Sequence, residues 1–182
     1  MKLKLVERRR DPQAPPDPWA AGRRAWPACE AMAAGLGLPG WTGAVVLLDD
    51  ADMEELNRDF RGGDGGTDVL SFSYLETEGP GEPDLLPPEG EAATALWVEA
   101  LSPEEADAAE VGEVVLAPAF VDRRCRDQGW DVAHEWPLLV LHGCLHILGW
   151  VHDSPAERAA MQAVEARLLA DRGLPHPLRG RS

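Results

Sequence analysis

The sequence predicts an α+β fold: a small mixed β-sheet of about four strands packed with helices. Three observations lead there. Short apolar segments of strand character alternate with helical segments over the first 74 residues. The segments after residue 117 are helical in pattern almost to the end. The length, 182 residues, fits one domain of ordinary size with its own core.

Taken in order, residues 3–6 form a short strand. Asp17-Pro18 opens a helix, with Asp as N-cap and Pro at the first helical position. That helix runs through Trp19, Trp26 and Met32 and stops in the glycine cluster of residues 35–40. Residues 43–48 (GAVVLL) are an apolar strand. Asp50 caps a second helix, in which Met53, Leu56 and Phe60 recur at helical spacing. The run 61–66 (RGGDGG) is a loop, and residues 67–74 (TDVLSFSY) return to strand character. Residues 111–116 (VGEVVL) are a further strand. Residues 118–128 are a helix stopped by Gly129. A long apolar helix extends from about Glu135, with Pro137 in its first turn, to Gly149. Residues 155–169 form a final amphipathic helix. Trp19, Trp26 and Trp136 have helical settings and are assigned to the core, as is Met161.

The formal net charge is −15, from 17 basic and 32 acidic residues. Taken at face value it argues against a nucleic-acid partner, because phosphate binding runs on Lys and Arg. The charge is unevenly spread, however. Residues 76–113 hold twelve acids and no base, so the other 144 residues carry 20 acids against 17 bases, a net of −3. The segment 75–110, rich in Pro, Gly, Glu and Ala, reads as a flexible acidic insertion within a single domain spanning 1–172, followed by a disordered tail, 173–182. Outside the insertion, Arg8–Arg10, Arg23, Arg24, Arg61, Arg123, Arg124 and Arg126 are available to build a local positive groove. Three cysteines without CxxC spacing fit a reducing cytoplasm. The N-terminus lacks the apolar core of a signal peptide, and the longest apolar run, 136–151, is too short to span a bilayer. A soluble cytoplasmic protein with no membrane partner is expected.

The stretch 141–153 (LHGCLHILGWVHD) carries the chemistry. His142 and His146, four residues apart, share one face of a helix. Gly149 permits the left-handed residue that ends the helix and turns the chain back. The turn can return His152 as a third ligand. Three imidazoles leave one position of a tetrahedral zinc open for water, as in catalytic sites. A lone His in such a helix would read as a satisfied core residue. Three of the five His in the chain at these offsets, with a Gly where the turn must fall, read as a metal site on a C-terminal-half helix and the turn after it. Imidazole also accepts nickel, copper and iron, so the native metal stays open. Cys144, two residues on from His142, faces away and is assigned to the core.

The offsets also occur in the metzincin protease pattern H-E-x-x-H-x-x-G-x-x-H, where the Glu is the general base. Here that position is Gly143, which can neither take nor give a proton. A metalloprotease reading loses its base.

His142 to His152 resemble the signature H-G-x-L-H-x-x-G-[YW]-x-H of the YbeY endoribonucleases, a family of rRNA maturation factors. Two further stretches agree with it: LNRDFR at 56–61, with Asp64 and TDVLSF at 67–72 following, and GEVV at 112–115. The resemblance departs at Val151, where the family commonly has Asp, and in the length of the acidic insertion. It implies a metal-dependent endoribonuclease specific for single-stranded RNA. Precursor 16S rRNA, at its 3′ end, and ribosomal particles under quality control would be its partners. The resemblance also assigns His142, His146 and His152 to one zinc ion and Arg61 to the catalytic arginine. A phosphodiester needs such a group, because guanidinium binds phosphate bidentately and takes up transition-state charge. Without the resemblance, Arg61 is an ordinary helix C-terminal charge. Thr67 and Asp68 are assigned to holding the loop, Glu135 to the positive end of the His-bearing helix, and Asp153 to the cap of the last helix. A further reading is a ribosome-associated binding protein whose metal is structural, which needs no catalytic Arg.

Overall fold

The computed structural model describes residues 1–11, 17–38, 40–74 and 110–175. The expected insertion at 75–110 lies outside them except for Glu110, and of the expected tail only 173–175 are described. Among the described residues the chain order is β1 (Lys2–Glu7), α1 (Ala20–Gly35), β2 (Thr42–Leu47), α2 (Asp50–Arg61), β3 (Val69–Ser73), β4 (Glu110–Leu116), α3 (Pro118–Gln128), α4 (Val132–Ile147) and α5 (Pro155–Ala170).

The four strands form one mixed sheet in the order β1-β2-β4-β3. β1, β2 and β4 run parallel, and β3 pairs antiparallel with β4. Val45 lies opposite Val114, and Leu47 opposite Leu116. Because side chains alternate along a strand, these four share one face. They join the larger core, which includes Trp19 just ahead of α1, Met32 of α1, Trp136, Leu141 and Leu145 of α4 and Met161 of α5. Ala44, Val46 and Val115 point to the other face and pack with Met53 and Leu56 of α2. A sheet covered on both faces explains why β2 reads as a continuous apolar run without polar alternation.

α4 is the central helix, set between the sheet and α1, with α5 and α3 alongside. Trp19 meets Trp136 edge-on at 4.4 Å between ring centroids, tying α1 to α4. Trp26 is only half-buried and touches Trp19 from the rim of the core.

Several helix starts or caps differ from the sequence expectation. α4 begins at Val132, because Asp131 accepts the Ala133 N–H at 2.8 Å. Pro137 therefore sits in the second turn. Asp17 accepts the Trp19 N–H at 3.0 Å and nucleates a turn ahead of α1, whose N-cap is Trp19. Asp49, one residue early, is the N-cap of α2. Asp153 does not cap α5. Ser154 does: its Oγ accepts the Glu157 N–H at 3.2 Å, and Glu157 accepts the Ser154 N–H at 2.7 Å. This reciprocal pair is a capping box.

Candidate metal centre

α4 carries His142 and His146 one turn apart. Past its end, Gly149 takes the left-handed conformation with φ 85°. The Trp150 N–H returns to the Leu145 carbonyl at 3.0 Å, and the Trp150 side chain is buried in the main core. That anchor reverses the chain, and His152 comes back beside the helix. One ligand atom from each of His142, His146 and His152 lies within 4.8 Å of the other two. The three residues singled out in the sequence are therefore together.

The hydrogen bonds fix the tautomers. The Nδ1 of His146 lies 2.8 Å from the Trp150 carbonyl oxygen, which can only accept, so Nδ1 carries the proton. The Nδ1 of His142 lies 2.8 Å from Oε1 of Glu165, a carboxylate, and likewise donates. Both Nε2 atoms then present lone pairs, and they face each other at 3.1 Å. Two lone pairs at that distance repel unless a cation lies between them. Tetrahedral zinc with Zn–N of about 2.0–2.1 Å would hold two nitrogens about 3.3 Å apart. The donor set thus fits a metal ion.

The electrostatics agree with a neutral, metal-ready His146. Burial pushes the His146 imidazole down to about 4, and the nearby His142, His152 and Arg61 add to the effect, against the hydrogen bond to Trp150. At neutral pH this ring offers a lone pair without first losing a proton.

Glu165, almost wholly buried on α5, was not found by sequence reasoning. The signal was available: Glu165 follows Met161 by one turn on the buried stripe of α5 that ends in Leu168 and Leu169. A carboxylate on such a stripe calls for a partner.

The imidazoles of His142 and His152 open onto a groove of about 290 Å³, whose lining includes Arg61, Asp68, Arg124 and Arg158. Arg61 is the last residue of α2. The loop after it is held by Asn57, whose buried amide donates to the Gly65 carbonyl at 3.0 Å. Asp68 accepts the Val69 N–H at 3.0 Å and forms an ion pair with Arg124, which also pairs with Glu135 in the first turn of α4. The Thr67 hydroxyl donates to Asp68 at 3.3 Å, and Asp68 and Glu135 hold Arg124 at the rim of the groove.

The expected basic groove does not form as a broad patch. Arg9 pairs with Glu7 and Asp17, Arg10 with Asp52, Arg23 with Asp17, Arg123 with Asp50, and Arg126 with Asp122. Carboxylates of the near-neutral body consume these cations.

Gly143 points at the sheet. A Cβ there would lie 2.5 Å from Cγ1 of Val114. Close approach of α4 to β4 requires the glycine, and the metzincin Glu has no room at this position. Cys144 is fully buried, as expected, and burial pushes its thiol up to about 12. Among the described residues, no helix is long and apolar enough to cross a membrane.

Comparison with known proteins gives one answer. A family model described as Endoribonuclease YbeY matches residues 32–173. An Endoribonuclease YbeY of Alkalilimnicola ehrlichii is 37% identical over 166 residues, covering 89% of this chain and 82% of that protein. One from Moorella thermoacetica is 36% identical over 131 residues, covering 72% of each chain. One from Salinispora tropica is 39% identical over 127 residues, covering 70% of this chain and 71% of that protein.

Proposed function

This chain belongs to the YbeY endoribonuclease family, and from that premise we propose that it is a zinc-dependent endoribonuclease. It cleaves single-stranded RNA, acting on precursor 16S rRNA at its 3′ end and on ribosomal particles in quality control, in the cytoplasm. Residues 1–172 act as one catalytic domain, with one core running from β1 to α5 in support.

The observation that carries the reading is the facing pair of Nε2 atoms, 3.1 Å apart, with His152 beside them and Arg61 on the same groove. His142, His146 and His152 hold the metal. When bound, zinc supplies Lewis acidity, lowering the pKa of a bound water to about 7 and polarising a phosphoryl oxygen. Arg61 binds the scissile phosphate and takes up the charge that develops on it. Glu165 and the Trp150 carbonyl keep the two α4 imidazoles in the tautomer that presents Nε2.

The protease reading is disfavoured by Gly143, which faces β4. A structural-metal reading would need a fourth protein ligand, and among the described residues the cluster that could hold a metal is three histidines. Digestion of single-stranded RNA and of casein in parallel tests the proposal, with chelator-treated protein and His142→Ala as controls. RNA cleavage lost in both controls, with casein untouched, is expected. RNA cleavage that survives in His142→Ala would defeat it.

A further inference from the structure

The charges lining the groove do not cancel evenly. Three arginines face it, Arg61, Arg124 and Arg158, and three carboxylates, Asp68, Glu135 and Glu165. Arg124 forms ion pairs with both Asp68 and Glu135. Glu165 is engaged by His142. Arg61 and Arg158 remain, and neither is ion-paired to a carboxylate among the described residues.

Arg158 is not a loose surface charge. It projects from the first turns of α5 beside the metal-site turn, and its Nη2 donates to the His152 carbonyl at 3.1 Å. That bond uses one of five guanidinium donors and leaves the others to face the groove. A tethered guanidinium loses less freedom on binding a ligand than a free one does. Its position also differs from that of Arg61. Arg61 ends α2, whereas Arg158 stands on α5. The two guanidiniums thus line the same groove from different elements.

Two uncompensated cations brought to one groove by different elements suit two phosphates. We infer that Arg158 is a second phosphate-binding residue, which takes the phosphate next to the scissile one. The enzyme then prefers an oligonucleotide chain to a dinucleotide. The inference rests on the nuclease reading above and adds a substrate-length requirement to it.

The test begins with binding, measured by fluorescence anisotropy of a labelled single-stranded octaribonucleotide. The protein is freed of metal, so no cleavage intervenes, and salt is varied. Losing one phosphate contact on a single strand lowers the slope of log affinity against log salt by about 0.7. Arg158→Gln is expected to show that drop and to bind several-fold more weakly at low salt, whereas Arg158→Lys, which keeps the charge, retains the slope. With zinc-loaded protein, the wild-type preference in kcat/KM for the octanucleotide over a dinucleoside monophosphate should shrink several-fold in Arg158→Gln. A wild-type slope and preference in Arg158→Gln would overturn the subsite while leaving the nuclease reading intact. Equal loss in the Gln and Lys variants, together with reduced zinc content, would make Arg158 a mere buttress of His152 and also overturn it. Wild-type protein that neither binds nor cleaves the octanucleotide would overturn the nuclease reading and the subsite with it.

Discussion

Oε1 of Glu165 accepts a hydrogen bond from Nδ1 of His142 at 2.8 Å, joining α5 to α4 across 23 residues of sequence. This contact decides which nitrogen of His142 faces the metal site. Outer partners of metal-bound histidines commonly matter 10–100-fold in metal affinity. Glu165→Ala should weaken zinc binding by roughly that factor. Glu165→Gln, whose amide oxygen still accepts the Nδ1 proton, should lose less. Competition against a chromophoric chelator measures both, and an Ala variant as tight as wild type would remove Glu165 from the site.

Arg61 stands at the C-terminus of α2, outside the three histidines, so its loss should separate chemistry from metal binding. Arg61→Ala should keep full zinc content and lose about 10²–10³-fold in kcat on single-stranded RNA, the scale of one charge-stabilising donor. His146→Ala should lose zinc and activity together. Elemental analysis beside the nuclease assay distinguishes the two variants. Unchanged cleavage in Arg61→Ala would take it out of the mechanism, and full zinc in His146→Ala would undo the ligand assignment.

The depressed titration of His146 has a consequence for metal-free protein. An imidazole held at about 4 when folded, against about 6.5 when unfolded, binds its proton more readily in the unfolded chain. The folded state is therefore penalised as pH falls below about 6.5, progressively to about 4, and is free of this penalty above 6.5. Because the ring is part-exposed, solvent screening holds the effect to about 1–2 kcal/mol. Melting of chelator-treated protein from pH 7.5 to 4.5 should show the decline, and His146→Asn should flatten it. Parallel decline in both proteins would count against the account.

Much of this was legible in the sequence because it follows from local rules. The His offsets and Gly149 specify a helix face and a turn, and the structure brings all three rings together. Apolar runs gave the four strands to within a residue or two. What the sequence left open depends on tertiary pairing. Glu165 reads as one more surface acid until α5 packs on α4. The scattered arginines read as a positive groove until Asp17, Asp50, Asp52 and Asp122 close on them. Cap positions slipped by one residue at Asp49 and Ser154 because each lies beside an equally plausible neighbour, Asp50 and Asp153.

Gly143 gives the last test, and it turns on the sign of an effect. At an open helix position, Gly→Ala stabilises by up to about 1 kcal/mol through backbone entropy. Here the added methyl would meet Cγ1 and Cγ2 of Val114 at 2.5 and 2.7 Å, with Ser71 Oγ at 3.1 Å. Val has a stiff χ1 and sits fully buried on β4, so it cannot swing aside. Overpacking of this kind costs about 1–3 kcal/mol, enough to outweigh the helical gain. Gly143→Ala should therefore lower the urea midpoint with an unchanged m value, and push α4 away from the sheet enough to loosen zinc. Val114→Ala alone should also destabilise, by leaving a cavity. Combined, the two changes relieve each other, so the double variant should be more stable than the sum of the single losses allows. Strict additivity in that cycle would mean that something other than contact with β4 keeps position 143 a glycine.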